Sequence, residues 1–166
     1  MMLYNKGMIK ERQYCCCFTG HRPEKLNISE AEVIAWLEME IHKAIDEGFV
    51  TFISGMARGV DIWAAEIILK LKEEGKNINL VCAVPFEGFE KTWSEQWKNR
   101  YRNIMRKADM VKFICGSYNK SCFQIRNIWM VNNSALVIAV FNGEFGGTKN
   151  TINYAIKNGV KVICNN

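Results

Sequence analysis

The chain is 166 residues long, 49% of its residues are hydrophobic and 23% are charged, and its net charge is +5. These values are typical of one ordinary soluble globular domain, and the charge tolerates anionic ligands but falls short of a nucleic-acid footprint. No apolar stretch approaches the roughly 18 residues that span a bilayer, and residues 1–13 lack the hydrophobic block of a signal peptide, so we expect no membrane association.

Seven cysteines raise the question of a metal site or of disulfides. Cys15, Cys16 and Cys17 are consecutive, no Cys-x-x-Cys pair occurs, and the chain has only two histidines. Neighbouring strand residues point to opposite faces of a sheet, so this triple cannot easily chelate one ion. We therefore predict buried free thiols, no metal, and a reducing cytoplasmic compartment.

The first predicted strand, residues 13–19, is apolar on both faces, which is typical of a central strand in a parallel sheet. It runs into the first glycine-bearing loop, Thr19-Gly20-His21-Arg22-Pro23. Glycine allows the turn off the strand, and proline makes its exit rigid. We predict that His21 and Arg22 project over the carboxyl edge of the sheet, where the planar guanidinium of Arg22 suits phosphate. The alternative is that both side chains only cap neighbouring carbonyl groups.

A capping box formed by Ser29 and Glu32 opens the first predicted helix, which ends at Gly48. The second predicted strand, residues 49–53, follows. It leads into the second glycine-bearing loop, Ser54-Gly55-Met56-Ala57-Arg58-Gly59-Val60-Asp61, and into a helix predicted over residues 57–74.

The second loop has the most specific pattern of the three. Ser54 ends the strand, Gly55 gives the backbone free passage, and Gly59 lies near the first turn of the helix. A phosphate at such a terminus gains about 0.3–1 kcal/mol, and Arg58 is a candidate partner for it. Asp61 repels phosphate and fits the site only through sugar hydroxyls or a metal. The alternative is a carboxylate that stabilises its own helix dipole.

The middle of the chain continues the alternation of strands and helices. Strands are predicted over residues 78–84, 109–115 and 135–141, and helical spacing over residues 93–108 and 123–131. Basic residues between Lys98 and Lys107 interleave with Tyr101 and offer a track for a nucleic-acid backbone. The aromatic residues follow the core-facing stripe, so a solvated basic face is the preferred interpretation.

The third glycine-bearing loop, Gly146-Gly147-Thr148, opens a last helix predicted over residues 148–158, before a strand at 160–164. Backbone amides and the Thr148 hydroxyl are suited to a second phosphate. The alternative is a glycine turn with a threonine N-cap.

Strands that alternate with helices of 10–18 residues predict an α/β fold: a Rossmann-like, doubly wound, mostly parallel sheet with helices on both faces. Ligands of such sheets bind outside the carboxyl ends of the strands, where all three loops fall. We expect residues 13–166 to form a single domain and residues 1–12 to form an N-terminal extension.

Taken together, the loops resemble the YpsA-like family of the SLOG superfamily, which groups Smf/DprA proteins with LOG proteins. The resemblance begins at about residue 15, and its anchors include the first two loops, Ala83-Val84-Pro85-Phe86, Arg126-Asn127, Met130-Val131 and the third loop with Tyr154-Ala155. It implies a Rossmann-like fold that binds a nucleotide or a nucleotide derivative. It also makes a homo-oligomer plausible, because related folds often pair.

Three positions depart from the related patterns. LOG-type phosphoribohydrolases carry a glutamate three residues after the Gly-Thr of their glycine loop, where this chain has Thr151. The YpsA-like pattern implies aspartates where this chain has Asn132 and Ala135. Acid–base or ribose-handling work at the Thr151 position is therefore in doubt.

Three functions follow from the sequence. The leading hypothesis is a cytoplasmic, sensor-like protein that binds NAD, ADP-ribose or another nucleotide through its loops. The second is an enzyme that cleaves a phosphoribosyl or N-glycosidic bond with Asp61 or Glu66 as the carboxylate. The third is DprA-like binding of single-stranded nucleic acid, against which the modest net charge argues.

Overall fold

A computed structural model of the protein describes residues 11–165, and within this range the chain forms a six-stranded parallel sheet. The strands are β1 (Cys15–Gly20), β2 (Thr51–Ser54), β3 (Asn79–Val84), β4 (Met110–Phe113), β5 (Leu136–Val140) and β6 (Lys161–Cys164). The predicted N-terminal extension lies outside the described residues except for Glu11 and Arg12.

Five α-helices connect the strands: α1 (Glu30–Asp46), α2 (Val60–Glu73), α3 (Glu95–Lys107), α4 (Cys122–Asn132) and α5 (Gly147–Lys157). The predicted capping box of α1 is confirmed, because the Glu32 amide donates to Ser29 Oγ at 3.2 Å and the Ser29 amide donates to Glu32 Oε2 at 2.8 Å. Among the described residues, no helix has the length and apolar character needed to cross a membrane.

The sheet is doubly wound, as the alternation of elements predicted. Its strand order is β4-β3-β2-β1-β5-β6, so the chain steps outward from β1 to β4 and then returns to place β5 on the other side of β1. Helices α1, α2 and α3 pack on one face and α4 and α5 on the other. The order reverses beside β1, and the carboxyl ends of strands at such a switch point form a crevice in which open α/β sheets bind ligands.

Both faces of β1 are buried, which explains its uninterrupted run of cysteines. Cys16 and Phe18 pack in the core under α1 and α2, whereas Cys15 and Cys17 pack in the core under α4 and α5. All three thiols are free, and burial raises the pKa of Cys17 to about 12. These cysteines therefore act as small hydrophobic residues.

Most predicted boundaries shift by one or two residues, and two of the differences have a clear structural cause. Residues 12–14 form a 3-10 turn before β1 begins at Cys15, so the predicted strand started two residues too early. Helix α2 begins at Val60 rather than near residue 57, because Met56 has a φ of +60° and Gly59 a φ of +92°. These left-handed conformations cannot continue a right-handed helix, and they hold residues 55–59 as an open loop.

Candidate functional site

A cleft of about 910 Å³ lies at the carboxyl edge of the sheet. All three glycine-bearing loops contribute residues to its lining, and the first loop does so from Thr19, at the end of β1, onward. Of the predicted site residues, its lining contains Thr19, Gly20, His21, Arg22, Arg58, Asp61, Gly146, Gly147 and Thr148. Ser54, Gly55 and Gly59 do not line it.

The residues that do not line the cleft shape the second loop from behind. Ser54 is buried, and its Oγ donates to the carbonyl oxygen of Asp61 at 2.8 Å and accepts from the Met56 amide at 3.2 Å. Gly59 has a left-handed φ, and a Cβ there would lie 2.9 Å from Pro23 Cδ. These two residues therefore fix the start of α2 and its close approach to the first loop.

Asp61 is a buried carboxylate in the first turn of α2, and only 6% of the residue is exposed. Its Oδ2 accepts from the Ala57 amide at 3.2 Å, so the side chain turns back to the loop before α2 while its charge stays in the first turn of the helix. Burial raises the pKa of Asp61 to about 6, although the charge of Arg126 and the Ala57 hydrogen bond act in the opposite direction. The alternative of a carboxylate that stabilises its own helix therefore fits the geometry.

Arg126, on α4, is the cation that faces Asp61. Its residue is 6% exposed, its Nε donates to Asn127 Oδ1 at 2.8 Å, and its Nη1 donates to the carbonyl oxygen of Gly55. A Cβ on Gly55 would lie 2.8 Å from Asp61 Oδ2 and 2.9 Å from Arg126 Nη1, so only glycine leaves room for both groups. Arg126 and Asn127 also line the cleft.

The N-termini of α2 and α5 differ in a way that matters for anions. The start of α2 already carries Asp61, whereas α5 has no acidic residue in its first turn and no side-chain cap. The Asn150 amide donates to the Gly146 carbonyl at 3.0 Å, which is the first hydrogen bond of the helix. The amides of Gly147, Thr148 and Lys149 precede it and have no carbonyl partner within the helix. At the start of α5, by contrast with α2, no acidic side chain or side-chain cap competes for these amides.

Thr151 belongs to the helix and not to the cleft. It is 1% exposed, and its Oγ1 donates to the Gly147 carbonyl at 2.8 Å. Asn132, a second departure, accepts at Oδ1 from the Tyr154 hydroxyl at 2.9 Å and so ties α4 to α5.

Besides Arg126, three cationic side chains line the cleft, and they differ in whether an ion pair already holds them. Arg58 pairs with Glu24, with Nη2 3.2 Å from Oε1. Arg22 and Lys25 also line the cleft, and neither forms an ion pair with any residue between positions 11 and 165. Arg22 is therefore better placed than Arg58 to meet an added anion.

His21 is buried at the same edge, with 6% of the residue exposed. Its ring stacks on Phe141 at 5.5 Å between centroids, and burial, with help from the charge of Lys25, lowers its pKa. The buried Nε2 atom has no hydrogen-bond partner among the described residues. A buried imidazole with one unpartnered nitrogen thus borders the cleft, and its lowered pKa favours the neutral form.

The aromatic part of the lining was not predicted from the sequence. Five residues from the segment between β3 and α3, from α3 and from α4 form what we call the aromatic wall: Phe86, Phe89, Trp93, Trp97 and Phe123. Four of the rings contact one another edge to face, as Phe89 and Trp93 do at 4.9 Å between centroids, whereas Trp97 contacts Trp63 of α2 at 6.2 Å. The helical spacing of Trp93 and Trp97 is that of a core stripe, which hides their position at the cleft.

Most basic side chains of α3 are engaged in ion pairs. Arg100 donates to both carboxylate oxygens of Glu66 at 2.7 and 2.8 Å, Lys98 pairs with Glu95 at 3.0 Å, and Lys107 pairs with Glu73 at 3.0 Å. Glu66 does not line the cleft, so its bond to Arg100 gives it a packing role between α2 and α3.

Comparison with known proteins gives a consistent result. The model of the YspA SLOG family (YpsA) matches residues 16–162. Similar sequences include UPF0398 protein OB1025 of Oceanobacillus iheyensis, 28% identical over 78% of this chain and 74% of its own length. The SPbeta prophage-derived protein YoqJ of Bacillus subtilis is 29% identical over 81% of this chain and 84% of its own length.

Solved structures with a similar fold include two DNA processing proteins. DNA processing protein A of Helicobacter pylori, described for its single-stranded DNA binding mode, superposes with a TM-score of 0.64 and 19% identity over 92% of this chain. DNA processing protein A of Streptococcus pneumoniae superposes with a TM-score of 0.50 and 14% identity over 88% of this chain. The chain spans 65% and 57% of these two proteins, and at these identities the likeness concerns the fold.

Proposed function

Because the chain belongs to the YspA SLOG family, we propose that it is a cytoplasmic, sensor-like protein that binds a nucleotide or a nucleotide derivative. One observation carries the proposal: the open N-terminus of α5 and a set of aromatic rings line the same cleft. Phosphate and base are the two chemical parts that such a cleft would take, and its volume of about 910 Å³ is suited to a small-molecule ligand.

The phosphate would bind at the start of α5. Free amides and the helix dipole favour an anion there, and the Thr148 hydroxyl adds a donor. Arg22 and Lys25 would supply charge without first breaking an ion pair among the described residues. NAD, ADP-ribose and nucleoside phosphates all combine an anion of this kind with an aromatic base.

The lining favours binding over catalysis. Asp61 is the single carboxylate among the cleft-lining residues of positions 11–165, and it is tied to Ala57 and faces Arg126. Hydrolysis of an N-glycosidic bond calls for a group that moves protons, and the Asp61 pKa of about 6 makes an enzyme the second candidate. Release of free base from AMP or NAD, followed by chromatography, would support this candidate.

Binding of single-stranded nucleic acid remains the third candidate, on the similarity of fold to the Helicobacter pylori protein. The ion pairs of α3 leave few of its charges free for phosphates. Affinity for an oligonucleotide that falls steeply with added salt would favour this candidate.

A thermal-shift panel of NAD, ADP-ribose, AMP, ATP and cyclic dinucleotides tests the proposal. A ligand at 100 times its Kd adds about 2.7 kcal/mol to the free energy of unfolding, which is about 5–10 °C for a domain of this size. A hit should be confirmed by calorimetry and should weaken in Gly147→Asp. A panel without any shift at millimolar concentrations would contradict the proposal.

A further inference from the structure

Phe145 is the most exposed large hydrophobic residue among positions 11–165, with 85% of its surface accessible. It lines the cleft and directly precedes the residues that open α5. Its exposure sets it apart from the aromatic wall, in which Phe123 is 38% exposed and the other four side chains are half-buried.

Hydrogen bonds of Asn142 hold the loop that carries Phe145 at its start, and α5 begins at its end. Asn142 donates to the Lys25 carbonyl at 2.7 Å and accepts from the Glu144 amide at 2.9 Å, while Gly147 already belongs to α5. Gly143 and Gly146 have φ values of +91° and +150°, and a Cβ at either would meet no atom within 4 Å. The Phe145 ring therefore has free space around it and glycine on both sides of its loop.

One face of the ring already has a partner. The ammonium of Lys149 lies 4.0 Å from the Phe145 ring centroid, in a cation–π contact. A single ammonium covers little of the ring, as the 85% exposure shows, so the π surface stays available. Lys149 also belongs to the first turn of α5, next to the open amides.

The spacing along the chain joins this ring to the anion-binding terminus. Consecutive Cα atoms are about 3.8 Å apart, so the Cα of Phe145 lies within about 8 Å of that of Gly147. A phosphate on the amides of Gly147 and Thr148 would thus hold a covalently attached base within reach of the Phe145 side chain. Every nucleobase presents a π face that an aromatic ring can stack on.

We propose that Phe145 is the base-stacking residue of the cleft, which swings on Gly143 and Gly146 to cover the base of a nucleotide whose phosphate binds at α5. This inference rests on the proposed function and goes further, because it assigns selectivity for base-bearing ligands to one side chain. A phosphosugar without a base would bind at α5 but gain nothing from Phe145.

AMP and ribose 5-phosphate are the probes for this proposal, since they share sugar and phosphate and differ in the base. Calorimetry or ligand-observed NMR at millimolar concentrations would give Kd values for the wild-type chain, Phe145→Ala and Phe145→Trp. We expect Phe145→Ala to weaken AMP binding about tenfold, as for loss of one stacking contact, and ribose 5-phosphate binding less than twofold. Phe145→Trp should keep the preference for AMP.

Ile156→Ala is the matched control, because Ile156 is 63% exposed on α5, the helix that follows the Phe145 loop, and does not line the cleft. Its AMP affinity should equal that of the wild-type chain. Wild-type AMP affinity in Phe145→Ala, or an equal loss for both probes, would overturn the stacking role and leave the proposed function standing. Failure of the wild-type chain to bind AMP would overturn the stacking role, and the proposed function would fall only if the other nucleotides of the panel also failed to bind.

Discussion

Asp61 and Arg126 share the space that the missing Cβ of Gly55 leaves free. The two residues come from helices on opposite faces of the sheet, α2 and α4, and both are almost fully buried. Removing one member of such a pair leaves an unmatched charge in the interior, whereas removing both does not. The charges of the pair therefore couple the two layers of the fold where both residues line the cleft.

Arg126→Met should lower the free energy of unfolding by about 1–3 kcal/mol, because the buried Gly55 carbonyl loses its charged donor and Asp61 loses the charge that faces it. The double variant Asp61→Asn with Arg126→Met should recover a large part of this loss. Urea unfolding of the wild-type chain, both single variants and the double variant measures the coupling. Strictly additive effects would show that the two groups do not interact.

Stability should depend on pH through Asp61. Its folded pKa of about 6 lies above the ordinary value of 3.8, so its contribution is full below pH 4 and is lost as the pH rises through 6. The whole change corresponds to about 3 kcal/mol. The advantage of the wild-type chain over Asp61→Asn should shrink by this amount between pH 4 and pH 7, measured by urea unfolding. Parallel pH profiles would place the Asp61 pKa near its ordinary value.

Gly147→Asp should separate binding from folding. Gly147 has room for a side chain, since a Cβ there would meet only Asn127 Nδ2, at 4.0 Å. A carboxylate in the first turn of α5 stabilises the helix by about 0.3–1 kcal/mol and occupies the place of the ligand anion. We expect an unchanged or higher Tm together with at least a tenfold loss of AMP affinity. Gly147→Asn is the neutral control and should retain more of the binding.

Arg22→Ala should weaken phosphate binding more than Arg58→Ala. Arg58 is already paired with Glu24, whereas Arg22 has no ion-pair partner among the described residues. We expect about a tenfold loss for Arg22→Ala, as for one hydrogen bond between charged groups, and a smaller loss for Arg58→Ala. Calorimetry at constant ionic strength makes the comparison, and a larger effect at Arg58 would reverse the assignment of the two residues.

The sequence predicted the fold well because the fold depends on local signals. The capping box at Ser29 and the apolar run of Cys15 to Phe18 each follow from residues close together in the chain, and the alternation of such segments determines the sheet. Both survive in the structure at nearly the predicted positions. The convergence of three loops at one edge follows from the parallel arrangement alone.

The chemistry of the cleft depends on contacts that no local pattern reveals. Arg126 donates a hydrogen bond to the Gly55 carbonyl, 71 positions away in the sequence, and no pattern near either residue predicts this contact. Trp93 and Trp97 have the spacing of buried helix residues, and only the packing of α3 against the loops leaves them half-exposed at the cleft. The sequence also left open which group the first-turn carboxylate of α2 contacts, because Asp61 turns back to its own loop.

The cysteines of β1 give the protein a built-in reporter of its own opening. Cys16 and Cys17 are fully buried in the middle of the sheet, whereas Cys164 is exposed at its edge. An alkylating reagent reacts with Cys164 in the folded protein but reaches the central pair only when the sheet separates. The rate at which the central pair is alkylated therefore measures the free energy of that opening, and a ligand that bridges the loops around β1 would slow it.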